Sequence, residues 1–242
     1  MRAPALAFAA TVALALWAGA AGAQAFNVRP DGTATLPAEK LRVEGAVIVY
    51  DTVDVPDEHL DILPDDAAAF RAMLLRNPQV RVVHLNSYGG ELTEARDMAD
   101  MVTRRGLSTR VTGTCDSACV LIFLAGDQRS LASGAAIGFH RFSWAADSVR
   151  DFYDANAQDF DWSDPFDLAE WLYEDTQVKI FEHLNYMLAR GVDPGFAIQT
   201  LREDSEGMWY PPRAVLIASG VVTDADPESS DIPGHNRRRS QN

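Results

Sequence analysis

The chain has 242 residues, with 21 Lys and Arg against 35 Asp and Glu, a formal charge of −14, and 47% hydrophobic residues. That composition excludes a collagen, a disordered coil and a multi-span membrane protein, and it fits one domain, at most two, with a full core. The acidic excess is spread along the chain and the one basic cluster, Arg237-Arg238-Arg239, stands at the end, so no phosphate-tracking stripe and no nucleic-acid partner are expected.

Met1-Arg2, the apolar run Ala5 to Ala20 and the triplet Ala23-Gln24-Ala25 read as a signal peptide over residues 1–25, cut after Ala25. The run approaches spanning length, so an uncleaved anchor is the alternative. A periplasmic or secreted protein is expected, with a single domain over 26–223 and a flexible tail over 224–242. Leu41 to Tyr50 reads as one strand. Asp65 to Arg76 reads as a helix that follows Pro64 and stops at Asn77-Pro78. Val80 to Asn86 is a second strand, closed by Ser87-Tyr88-Gly89-Gly90. Glu91 to Arg105 carries Leu92, Ala95, Met98, Ala99 and Val102 at helical spacing, and Gly106 ends it. Leu107 to Val111 is a third strand. Ser117 to Leu124 is an apolar, buried helix ending at Ala125-Gly126, and short strands follow at Arg129 to Leu131 and Ala136 to Phe139. Residues 143–165 turn to Asp, Ala and aromatics without clear period, as an insertion or lid would. Helices are then expected over Phe166 to Arg190, Pro194 to Arg202 and Pro211 to Ser219. Strand and helix alternate with short connections, which implies an α/β fold with parallel strands and βαβ crossovers.

Cys115 and Cys119 lie four apart around Ser117. An oxidising compartment favours a disulfide over free thiols, and no Cys/His set completes a metal site, so neither metal nor cofactor is expected. If joined, Cys115 must precede the helix that Cys119 enters.

Two strand-to-helix junctions carry chemistry. One is Asn86-Ser87-Tyr88-Gly89-Gly90, whose glycines let backbone N–H groups turn into a cleft. The other is Gly113-Thr114-Cys115-Asp116-Ser117-Ala118-Cys119, with a hydroxyl at the positive end of a helix. Side by side at the carboxyl edge of a parallel sheet they make a nucleophile and an oxyanion hole. Each alone is more often a turn or a helix cap. Among five histidines, His235 falls in the tail, His59 in a loop, His183 within the long helix and His84 mid-strand. His140, at the end of Gly138-Phe139-His140, is the best base for Ser117.

The stretch from Val82 to Phe142 resembles the ClpP serine protease family of the ClpP/crotonase superfamily. The matches are Leu85-Asn86-Ser87-Tyr88-Gly89-Gly90, Gly113 to Ser117, Ala125-Gly126, Arg129 and Phe139-His140. With its signal peptide and Cys-x-Ser-Ala-Cys segment, the chain looks like the exported ClpP-like proteins of bacteria. The resemblance implies a spiral of ββα units with mostly parallel strands plus C-terminal helices. It also implies a serine-type peptidase acting on peptides or loose protein segments, and a homo-oligomer. It makes Ser117 the nucleophile, His140 the base, and the N–H groups of Gly90 and Ala118 the oxyanion hole. The spacing at which the family carries its third acid lands on Met208, counted back from Gly220, so Asp204 is the choice, with Glu206 or Asp175 as alternatives. Tyr88 stands where the family has Pro, and Arg141-Phe142 where it has His-x-Pro. No ATP-driven unfoldase is expected for an exported chain. The competing readings are a Ser–Lys peptidase using Lys179 or Lys40, a crotonase-type acyl-CoA enzyme, and a pseudoprotease kept as a binding or assembly module.

Overall fold

A computed structural model describes residues 36–204 and 207–224; the expected signal peptide, the tail beyond Asp224 and Glu206 lie outside them. Leu41–Glu44 (β1) and Val47–Asp51 (β2) open the domain. The single strand expected over Leu41 to Tyr50 is thus an antiparallel hairpin, because Gly45 takes a left-handed φ of 62° and folds the chain back. After a 3₁₀ turn at Asp57–His59, α1 spans Asp66–Arg76, β3 Val82–Ser87, α2 Leu92–Arg104 and β4 Ser108–Asp116. α3 is Cys119–Leu124, β5 Arg129–Leu131 and β6 Ala136–Gly138. Then come α4 Ala146–Asn156, α5 Pro165–Ala189, α6 Pro194–Gln199 and α7 Arg213–Ala218.

The sheet runs β1-β2-β3-β4-β5, parallel from β2 onward, and β6 pairs with the far end of β4. β4 therefore has two neighbours on one edge: Thr109 to Val111 face β5, and Thr114 to Asp116 face β6. This is why β4 extends five residues beyond the strand expected to end at Val111. Its second half is polar in sequence but gains ladder partners from β6.

α2 lays Ala95, Met98, Ala99 and Val102 against the sheet, and α3 is buried along its whole length. Each of its large apolar side chains contributes about 1.5–3 kcal/mol by leaving water. Arg129, also buried, holds the core together from inside. Its guanidinium donates to the carbonyls of Gly220 at 2.7 Å, Val221 at 2.9 Å and Arg190 at 3.0 Å, and thus satisfies the ends of α5 and α7.

Residues 143–165 are not without structure. They contain α4, which buries no residue of its own. Phe152, Phe160 and Trp162 gather with Trp171 of α5 at ring separations of 4.7 to 6.0 Å. Period was hidden because these aromatics meet across three segments rather than along one helix face. No helix among the described residues is long and apolar enough to cross a membrane.

Candidate active site

The strand-end motif is built from the bottom up. Asn86 Oδ1 accepts the Thr114 N–H at 3.0 Å while its amide donates to the Asp51 carboxylate, so it sits in the irregular register between β3 and β4. Ser87 Oγ, fully buried, accepts from Gly89 N–H at 3.2 Å and from Thr52 hydroxyl at 2.9 Å. Gly89 and Gly90 have φ of 102° and 127°, which only glycine adopts readily. A methyl on Gly89 would lie 2.7 Å from Asp116 O and from Ser117 Cβ, so the turn is packed directly on the Asp116-Ser117 step.

Gly90 bridges to Ile62 in parallel fashion: Ile62 N–H donates to Gly89 O at 2.6 Å, and Glu91 N–H donates to Ile62 O at 2.8 Å. In such a bridge the flanking residues supply the bonds, so the N–H of Gly90 itself is turned away from Ile62. Beneath this lies a buried charge cluster whose members lie far apart along the chain. Lys40 Nζ pairs with Asp66 Oδ2 at 2.8 Å and donates to Asp61 O at 3.0 Å, and Tyr50 hydroxyl also binds Asp66. Lys40 is fully buried in this cluster, one of the two lysines offered as a base in the Ser–Lys reading.

Ser117 follows β4 with a φ of 54°, a left-handed turn for a non-glycine residue. Strain of about 1–3 kcal/mol is expected for such a conformation. The burial of α3 immediately after it exceeds that several-fold. The Cys115–Cys119 disulfide, with Cα atoms 5.3 Å apart, closes across the turn. Cys115 is in β4 and Cys119 is the first residue of α3, as a bridge at that spacing requires.

His140 Nε2 lies 2.7 Å from Ser117 Oγ. Its Nδ1 lies 2.8 Å from the carbonyl oxygen of Arg141, an acceptor only. Nδ1 therefore carries the hydrogen, and Nε2 turns its lone pair to the Ser117 hydroxyl. The backbone here is sewn to the closing segment: Phe139 and Trp209 exchange N–H···O bonds of 2.9 Å, and Arg141 N–H donates to Glu203 O at 2.9 Å. Asp204 lies in an exposed turn, where its Oδ1 accepts from Gly207 N–H at 3.0 Å.

Ser117, His140, Gly90 and Ala118 line one pocket of about 390 Å³. Leu92, Val120, Phe139, Phe142 and Trp144 give it apolar walls. Asp175 and Lys179 of α5 line it too, held 3.8 Å apart, with Glu182 also 3.8 Å from Lys179. His183 completes that wall; burial, and then Arg96, lowers its pKa to about 4, so it stays neutral. The long helix α5, which carries the alternative candidates Asp175 and Lys179, thus forms one side of the site. Met208 packs on Gly138 and carries no charge.

In architecture the chain is similar to two solved structures. One is a ClpP1 mutant from Listeria monocytogenes, at 12% identity over 74% of this chain and 90% of that one, with a TM-score of 0.51. The other is a peptidase from Plasmodium falciparum, at 10% identity over 74% of this chain and 94% of that one, with a TM-score of 0.50. The fold is ClpP-like. No protein-family model matches the chain, and no curated protein matches it in sequence.

Proposed function

We propose that the protein is an exported serine hydrolase acting on peptides, with Ser117 as nucleophile, His140 as general base and the N–H groups of Gly90 and Ala118 as oxyanion hole. The observation that carries this reading is the 2.7 Å contact between Ser117 Oγ and His140 Nε2, with the tautomer set by the Arg141 carbonyl. The ClpP-like fold and the peptidase among the structural neighbours add support for a peptide substrate. Export is read from the Met1–Ala25 composition and agrees with the Cys115–Cys119 disulfide.

In this mechanism His140 Nε2 takes the proton as Ser117 Oγ bonds to the scissile carbonyl carbon. The carbonyl oxygen, now negative, lies against the two N–H groups. The imidazolium returns the proton to the leaving amine as the C–N bond breaks. Water, deprotonated by the same imidazole, then releases the acyl group.

Activity-based labelling with a fluorophosphonate tests the reading. Wild type labels, and Ser117→Ala and His140→Ala both abolish labelling. Labelling that survives His140→Ala and disappears in Lys179→Ala would move the base to α5. A folded wild type that never labels would leave a ClpP-like binding or assembly module.

A further inference from the structure

His140 Nδ1 faces the Arg141 carbonyl, which fixes the tautomer without supplying a full negative charge. The imidazolium formed during the reaction still needs one nearby. Asp116 ends β4 immediately before Ser117 and is 2% exposed. Its Oδ2 accepts from Tyr210 hydroxyl at 2.9 Å and its Oδ1 from Thr114 hydroxyl at 2.9 Å; Gly138 N–H is a third donor. Three donors hold the carboxylate in place and favour its ionised form against the cost of burial.

Asp116 is the ladder partner of Gly138, two residues before His140. A methyl on Gly138 would collide with Asp116 Oδ1 and would lie 2.7 Å from Met208 Cγ and 2.8 Å from Met208 Sδ. The carboxylate and the thioether therefore meet at the same glycine. Met208 is the residue at the spacing where the resembling proteases carry their third acid.

We propose that Asp116 is a positioning residue for the Ser117–His140 pair, supplying from β4 the buried negative charge that the closing segment lacks at Met208. This rests on the hydrolase reading above. Burial raises the Asp116 pKa, and Tyr210, Thr114, Gly138 N–H and the charge of His140 all act against that rise; the geometric tie to the pair is the ladder step from Asp116 to Gly138 and the peptide bond from Asp116 to Ser117. The other titratable groups in reach are Tyr210 and Tyr88 on the Asp116 side. On the His140 side, among the described residues, they are Glu91 at the start of α2, Asp175, Lys179 and His183 on α5, and Arg141 with Glu203, whose carbonyl its N–H meets, and the neighbouring Asp204.

The test is the pH profile of the fluorophosphonate labelling rate in full-length wild type, Asp116→Asn and Tyr210→Phe. Asp116→Asn keeps the side-chain shape and removes the charge. The plateau rate falls about tenfold or more, and the acid limb moves to lower pH by roughly 0.5–1 unit. Tyr210→Phe keeps the charge with one donor fewer and moves the limb the opposite way. Its half-exposed ring makes it the variant that stays folded if Asp116→Asn does not. A wild-type limb in both variants, or a slower rate with no shift of the limb, overturns the proposal. A wild type that labels no faster than Ser117→Ala defeats the hydrolase reading instead.

Discussion

Gly90→Ala tests the proposed oxyanion donor. At φ 127° an L-residue is strained by about 1–3 kcal/mol. The new methyl would lie 2.5 Å from both the N and the O of Ile62, backbone atoms that cannot swing aside. The bridge must open, releasing two backbone hydrogen bonds worth about 0.5–1.5 kcal/mol each. Urea denaturation is therefore expected to show a loss of roughly 2–6 kcal/mol. The Gly90 N–H is displaced with the bridge, and losing one oxyanion donor slows reaction by about 10²–10³. Gly45→Ala is the control: its φ of 62° is also left-handed, but no atom lies within 4 Å of the added methyl. It should cost about 1–2 kcal/mol and leave the fluorophosphonate rate constant unchanged. A folded Gly90→Ala protein that labels at the wild-type rate would refute the assignment of Gly90.

Three further outcomes follow from the same geometry. Replacing both Cys115 and Cys119 by Ser opens a very short loop, so the stability loss is about 2 kcal/mol in urea; labelling slows as well, because the turn holding Ser117 is released, and an unchanged rate would reduce the disulfide to a staple. Lys40→Met leaves Asp66 charged and buried, at a cost of about 3–5 kcal/mol by thermal or urea unfolding. The pair Lys40→Met/Asp66→Asn recovers most of that, and no recovery would mean that packing, rather than charge, dominates there. His183, with its folded pKa depressed to about 4, binds its proton more readily when unfolded. Its contribution is complete above the unfolded value near 6.5 and is lost as pH falls toward 4, on the order of 3 kcal/mol in all. His183→Asn should flatten the stability slope across that window, and an unaltered slope would show that His183 is not buried neutral.

Local sequence carried much of this. Helical spacing in Glu91 to Arg105 located α2, and Gly106 its end, because the period and the stop signal are written within one segment. The two strand-to-helix junctions announced Ser117 and the Gly89-Gly90 turn, and elimination among histidines pointed to His140, which the fold brings to 2.7 Å from Ser117. The hairpin at Gly45 was missed because β-rich residues flank it on both sides, and only the sign of φ separates one strand from two.

What only the tertiary structure decided is which groups gather around the imidazole and the strand end beside it. Thr114 and Asp116 share one strand face by their two-residue spacing, a signal that was present and unused. Their partners Gly138, Met208 and Tyr210 come from two other segments, and nothing in a linear pattern says which strand will lie beside which. The acceptor on His140 Nδ1 is a main-chain carbonyl, the same at every residue, so no side-chain identity could have marked it. A sequence specifies where its periodicities lie and which groups it owns; which of those groups face one another is set by chain crossings, and in a buried site that facing fixes the charge.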